Sequence, residues 1–374
     1  MPEPPEILDI ALKRASAHMA EPIVDSSEIV TRIQLVSRNP QNRAGVRFLM
    51  ACLLAKTHRP QIDVRKPYTE IGDHDSYSGR TYDERYISPF VIEHNLPCNP
   101  TTAFLTPALR NRNITLTPDV DLVGRPPSVY EAALRLLTDV HTNRVSAQDL
   151  LSEIIRCLLV FRNERQQQME MLLAQLESTE EAIPLSAEAI VTLIQQHLKC
   201  PRSSRLPVLL VAAAYKAAEQ HLRERVLPLR GHTAADKQTG ALGDLEITLL
   251  DDDNVVTSYE MKTRRVTQGD IDHALTKIID RGQQTNNYIF ITTEVIDKDV
   301  EDYAASIYDK TGGVELVVLD CIGFLRHFLH LFHRLRTRYL EAYQQLLLEQ
   351  PESAVRQELK EAFLALRRAA ESGE

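Results

Sequence analysis

Between residues 205 and 320 the hydrophobic spacing switches repeatedly between the helical and the strand period, and no other feature restricts the fold of this chain so strongly. The pattern predicts a helix over 205–226, a loop over 227–240, strands over 244–250 and 255–262, a helix over 268–283, a strand over 288–293, a helix over 298–311 and a strand over 314–320. Two adjacent strands followed by helix–strand units make an α/β layer, a mixed sheet with helices on its faces. The flanks read differently. Residues 1–24 are a short polar lead-in with the character of a frayed helix. Residues 26–56 and 128–200 are helical, 57–127 crowd Pro, Gly, Tyr, Arg and Asn together, and 321–372 are helical again. The chain therefore divides into a largely helical region 1–200 containing the Pro-rich segment 57–127, an α/β core 201–320, and C-terminal helices 321–374. The helix pair within 26–56 has the spacing of a helix-turn-helix, although most adjacent helices are only packing units.

The two strands at 244–262 carry charge where strands seldom do. In "GDLEITLLDDDNVVTSYEMK" (243–262) an acid opens the first strand, and an acid and a lysine close the second. Residues two apart on a strand share a face, so Glu260 and Lys262 point the same way. Asp244 joins them if the hairpin pairs it with Glu260, which requires a loop of three or five residues centred on Asp252. The run Asp251, Asp252, Asp253, Asn254 suits such a loop, because Asp and Asn tolerate turn conformations.

Two carboxylates so placed repel each other unless a cation sits between them. Mg²⁺ takes oxygen ligands and is commonly held by one or two carboxylates plus water and phosphate. It polarises a phosphodiester and acidifies an attacking water, while a nearby lysine positions that water or stabilises the charge that develops. Asp244, Glu260 and Lys262 thus match metal-dependent phosphodiester hydrolysis, with Asp244 and Glu260 on the metal. The alternative is a surface hairpin of solvated charges with an Asp-rich turn.

Gly-Asp, fifteen residues, then Glu-Met-Lys, set within helix–hairpin–helix–strand, resembles the PD-(D/E)XK nuclease superfamily, with Gly243 where a proline is frequent. A second block, "SGRTYDERYISPFVIEHNLPCNPTTAFLTPALRNRN" (78–113), resembles the corresponding block of SacI-type Type II restriction endonucleases. The similarity covers most of the chain and is strongest over 56–113 and 240–265. It implies a restriction-endonuclease-like α/β (α+β) fold and Mg²⁺-dependent, site-specific cleavage of unmethylated double-stranded DNA. It also implies a homodimer, with the C-terminal helices a candidate interface, and a companion DNA methyltransferase as functional partner. In similar nucleases an acid on the helix before the hairpin supports the metal, which points here to Glu219; an exposed helix glutamate is the other reading.

Residues 31–125 hold 13 Arg plus Lys against 9 Asp plus Glu, in a chain whose net charge is −9. DNA contact is therefore expected in this part. Arginine reads guanine and anchors phosphates, and asparagine reads adenine, so Arg80, Arg85, Arg110, Arg112 and Asn99 are candidate contacts. A Pro-rich structural wrap with paired arginines is the competing reading. Arg264 shares the strand parity of Lys262 and is a candidate phosphate contact. Thr267 reads as a helix N-cap with Asp270. The "DHD" at 73–75 reads as a polar turn, and His327, His330 and His333 as a polar helix flank.

The acidic balance excludes a histone-like binder but not an enzyme with a basic cleft. Five well-separated cysteines, with no C-x-x-C, argue against a disulfide framework or cysteine zinc site and suit a reducing cytoplasm. The opening "MPEPPEILDI" lacks the regions of a signal peptide, and the apolar run 206–215 is about half of what spans a bilayer, so no membrane association is expected. Three other functions compete: a repair or modification-dependent nuclease of the same superfamily, a non-catalytic DNA-binding module, and a small-molecule phosphoesterase.

Overall fold

The computed structural model describes residues 2–99, 101–177, 184–229, 242–252, 254–281, 285 and 287–372. The chain forms two units, Met1–Gln168 and Met169–Glu374. The boundary thus falls inside a long helix rather than near residue 200, and the C-terminal helices belong to the unit that contains the sheet.

The first unit is helical: α1 (Pro4–Ala17), α2 (Ser27–Ser37), α3 (Ala44–His58), α4 (Gly79–Tyr82), α5 (Ser88–Glu93), α6 (Pro127–His141) and the first part of α7 (Ala147–Glu177), with a π-helical turn at Asp83–Ile87. The lead-in is not frayed. Ile7, Leu8, Ala11 and Ala15 form one buried stripe on α1 and pack into the common core. Helix α3 is buried on all sides from Ala44 to Ala55. It is the centre of the unit and presents no face to a DNA groove, so the pair α2–α3 is a packing unit.

The Pro-rich segment wraps around α3. Its tyrosines are interior groups: Tyr77 is buried, with its hydroxyl donating to Val64 O at 2.8 Å, and Tyr82 packs edge-on against Tyr77 and His58. Buried Asp83 is the anchor. Its carboxylate takes hydrogen bonds from Thr102 Oγ1 (2.6 Å) and the Ala103 amide (2.8 Å) and pairs with Arg47, also buried. Arg47 in turn donates to Asn99 O at 2.7 Å.

The second unit contains the rest of α7, then α8 (Ala187–Leu198), α9 (Leu206–Leu222), β1 (Glu224–Val226), β2 (Leu245–Leu249), β3 (Val255–Lys262), α10 (Gln268–Arg281), β4 (Asn287–Thr292), α11 (Lys298–Ala305), α12 (Ile307–Thr311), β5 (Glu315–Asp320), α13 (Cys321–Leu331), α14 (Arg336–Glu349) and α15 (Gln357–Ser372). The mixed sheet has the order β1-β2-β3-β4-β5, antiparallel through β3 and parallel from β3 to β5. The expected helix over 205–226 stops early: Arg223 adopts a left-handed conformation at φ 57°, and the next three residues become β1 by pairing with β2. The loop expected over 227–240 lies mostly outside the described residues.

Alternation along the strands assigns the two faces. Leu245, Ile247, Tyr259, Ile289 and Ile291 face the core shared with α9, α13, α14 and α15. Tyr288, Phe290, Leu316 and Val318 face the core shared with α10 and α11. The apolar run 206–215 is the wall of the first core, its residues from Leu206 to Ala214 all buried. Among the described residues, no helix is long and apolar enough to cross a membrane.

Candidate active site

The hairpin closes as the charge pattern requires. Leu245 lies opposite Tyr259, Glu246 opposite Ser258 and Ile247 opposite Thr257, a register that, continued one residue beyond β2, sets Asp244 across from Glu260. The connection 250–254 is centred on Asp252, and a bulge between Ile247 and Thr248 absorbs the irregularity of the turn. By strand alternation Asp244, Glu260 and Lys262 lie on the face that carries Tyr288 and Phe290, at the carboxyl end of the parallel strand β3. Open α/β sheets bind their ligands at the carboxyl ends of such strands.

Asp244 is held from both sides of its peptide. Its N–H donates to Tyr259 O at 2.8 Å, and its Oδ2 accepts the Met261 N–H at 2.8 Å. The residue touches solvent, but protein crowds its carboxyl, and this crowding pushes its pKa up. The charge of Glu260 pushes the same way, against the Met261 N–H, Arg205 and Lys262. Gly243 explains its own identity: a Cβ there would lie 2.4 Å from Tyr259 O. Any side chain at this position, proline included, would collide with the backbone of the partner strand.

Glu260 is surrounded by cations. Its Oε1 accepts from Lys262 Nζ at 2.6 Å, and its Oε2 meets Lys277 Nζ at 3.3 Å and the Tyr288 hydroxyl. Burial alone would raise its pKa, but Lys262, Tyr288 and Lys277 outweigh burial and hold it below the ordinary carboxylate value. Lys262 also reaches Asp270 Oδ1 at 3.3 Å. Burial works against its charge, yet Glu260 and Asp270 keep its pKa above the usual lysine value. Asp270 closes the network by taking two hydrogen bonds from Arg264, at 2.7 and 2.9 Å. It also completes the expected cap of α10, accepting from the Thr267 amide at 3.0 Å while Thr267 Oγ1 accepts from its own amide at 3.3 Å.

Sequence spacing gave no sign of Lys277, Tyr288, Asp270 as a lysine partner, or Glu246. Glu246 is buried and accepts the Leu242 N–H at 2.8 Å. The lysine and the tyrosine come from α10 and β4, and only the parallel pairing of β3 with β4 brings them to Glu260.

Other expected residues fall elsewhere. Glu219 sits one turn from the end of α9, which runs into β1 beside the hairpin turn, where Leu250 N donates to Arg223 O at 3.0 Å. Asp244 is at the other end of β2, about 15 Å away at strand rise, so the structure does not bring Glu219 to the carboxylate pair. Asn99 folds its amide back onto Thr101, and Arg112 donates to Ala108 O at 2.8 Å; both stabilise their own loops. Arg80, Arg85 and Arg110 are exposed, Arg80 pairing with Glu84 and Arg85 lying over the Tyr86 ring. Asp73 and Asp75 both pair with Lys66, as a polar turn would, and His330 pairs with Glu188.

Among the described residues, no group of three or more His, Cys, Asp or Glu could hold a metal ion. Asp244 and Glu260 are a smaller set, two carboxylates opposed across a hairpin, with the charge of Glu260 acting on Asp244. An all-oxygen pair of this kind fits a hard divalent cation that keeps most of its water. Burial pushes the thiols of Cys52, Cys98, Cys157 and Cys321 up to about 12, which leaves little reactive thiolate at neutral pH. None of the five cysteines is in a disulfide.

No curated protein matches the chain. The family model of the SacI restriction endonuclease C-terminal domain matches residues 183–304, from just before α8 into the last turn of α11, and so includes the whole constellation of Asp244, Glu260 and Lys262. Residues 183–304 are thus similar to the C-terminal domain of the SacI restriction endonucleases, which supports a restriction endonuclease role for the chain.

Proposed function

We propose that the chain is a Type II enzyme that hydrolyses phosphodiester bonds at specific sites in unmethylated double-stranded DNA, with Mg²⁺ held by Asp244 and Glu260. The observation that carries this reading is the opposition of those two carboxylates across the hairpin, with Lys262 on Glu260. When bound, Mg²⁺ supplies positive charge that polarises the phosphodiester and acidifies the attacking water. Lys262 keeps its proton at neutral pH, because its acidic partners raise its pKa. It acts as a donor, from Nζ to the water or to a phosphate oxygen as negative charge develops.

Asp270 holds Lys262 and Arg264 beside the carboxylates, and Arg264 engages a phosphate by exchanging this partner. Arg80, Arg85 and Arg110 are the exposed cations offered to phosphates and guanine edges. A two-fold protein matches a palindromic site, which supports a homodimer. A DNA methyltransferase is the functional partner that shields host sites, and free thiols suit the cytoplasm.

The test is incubation of purified protein with unmethylated plasmid and phage DNA and Mg²⁺, beside Glu260→Ala and Lys262→Ala. Discrete fragments from the wild type alone are expected. A smear lost in both variants would remove site specificity from the reading. Intact DNA, with tight binding retained, would overturn the catalytic assignment.

A further inference from the structure

The geometry points to Tyr288 and Lys277 as positioning residues that grip one oxygen of Glu260, so that the other is the oxygen presented to the cation. This inference rests on the nuclease reading above. The two oxygens of Glu260 have different neighbours. Oε2 meets the Tyr288 hydroxyl and Lys277 Nζ at 3.3 Å, the first fixed on β4 within the sheet and the second on α10 packed against it. Oε1 meets Lys262 Nζ at 2.6 Å, and Lys262 has a second acidic partner in Asp270 at 3.3 Å. Lys262 can therefore leave Oε1 and keep an acidic partner, whereas Oε2 stays engaged. Glu260 has one held oxygen and one that can be released.

Tyr288 does more than hold Glu260. Its side chain is fully buried, and its hydroxyl also bonds Leu242 O at 3.0 Å. A phenol has one proton, so it is shared between Leu242 O and Glu260 Oε2. The Leu242 amide is fixed independently by Glu246 Oε1 at 2.8 Å. Both polar groups of Leu242 are thus tied by interior side chains, two residues before Asp244. Tyr288 links the backbone that sets Asp244 directly to the carboxylate of Glu260. It fixes the spacing of the two carboxylates, and Lys277 fixes the rotation of the second.

Partners that orient a metal-binding carboxylate typically contribute about 10- to 100-fold to metal affinity. The test is calorimetric titration of the full chain, without DNA, with MgCl₂ and MnCl₂. The variants are Tyr288→Phe, Lys277→Met, Lys277→Arg and Glu260→Ala, each checked by its melting curve and by DNA binding in EDTA. The expected result is a Kd raised about tenfold or more in Tyr288→Phe and Lys277→Met, largely restored in Lys277→Arg, with metal-free DNA binding unchanged. If Tyr288→Phe does not fold, the Lys277 pair decides. Wild-type Kd in Tyr288→Phe and Lys277→Met, with binding lost in Glu260→Ala, would overturn the positioning role alone. Equal metal binding by Glu260→Ala and wild type, or none by the wild type, would overturn the site itself.

Discussion

Gly243→Ala is expected to damage cleavage far more than stability. The added Cβ would lie 2.4 Å from Tyr259 O, the same oxygen that accepts the Asp244 N–H at 2.8 Å. A carbon and a carbonyl oxygen rest at about 3.3–3.6 Å, so one strand must give way by about 1 Å. The oxygen belongs to the backbone and the Cβ position is fixed by it, so no side-chain rotation relieves the clash. The expected loss of stability is about 1–3 kcal/mol, the usual range for overpacking. The displacement falls on the residue next to Asp244, and a misplacement of about 1 Å at a reacting centre costs about 100-fold in rate. The assay is single-turnover cleavage at saturating enzyme and Mg²⁺, read beside thermal unfolding of the same preparation. A Gly243→Ala protein that folds and cuts within about threefold of the wild type would refute the reasoning. Gly243→Pro brings the same Cβ and should fare no better, although proline is frequent here in similar nucleases.

Asp83→Ala should cost about 3–5 kcal/mol in urea unfolding, because buried Arg47 loses its carboxylate and Thr102 and Ala103 lose their acceptor; a cost below about 1 kcal/mol would show that the pair is dispensable. His197 gives stability a pH dependence. It is buried, accepts from the Tyr343 hydroxyl and donates to Leu359 O, and burial pushes its pKa down to about 4. The unfolded chain therefore binds a proton first, and stability should fall by an amount on the order of 3 kcal/mol as pH drops from about 6.5 to about 4. A His197→Gln protein should show a shallower slope in that window, and an unchanged slope would place the titration elsewhere. Glu219→Ala should leave Mg²⁺ affinity at the wild-type value in calorimetry, and a marked loss would return Glu219 to the metal.

Local spacing determined much of the site. Strand alternation put Glu260 and Lys262 on one face, and the parity of the hairpin put Asp244 across from Glu260 with a turn centred on Asp252. The Thr267–Asp270 cap was equally legible, because it is built within one helical turn. The alternation of helices and strands gave the mixed sheet, since amphipathic period follows from which face each element buries. Tertiary structure decided the remainder. Strand β1 is too short to carry a period and exists through its pairing with β2, so it read as the end of a helix. Helix α1 is stabilised by the stripe it buries rather than by its own propensity. Arg112 and Asn99 read as DNA contacts from residue type alone, and their side chains satisfy nearby backbone and loop groups instead. Tyr288 and Lys277 lie 28 and 17 positions beyond Glu260 and meet one of its oxygens through parallel register and helix packing. Periodicity specifies which residues share a face; which atom of a side chain meets which partner depends on elements that the chain supplies from a distance.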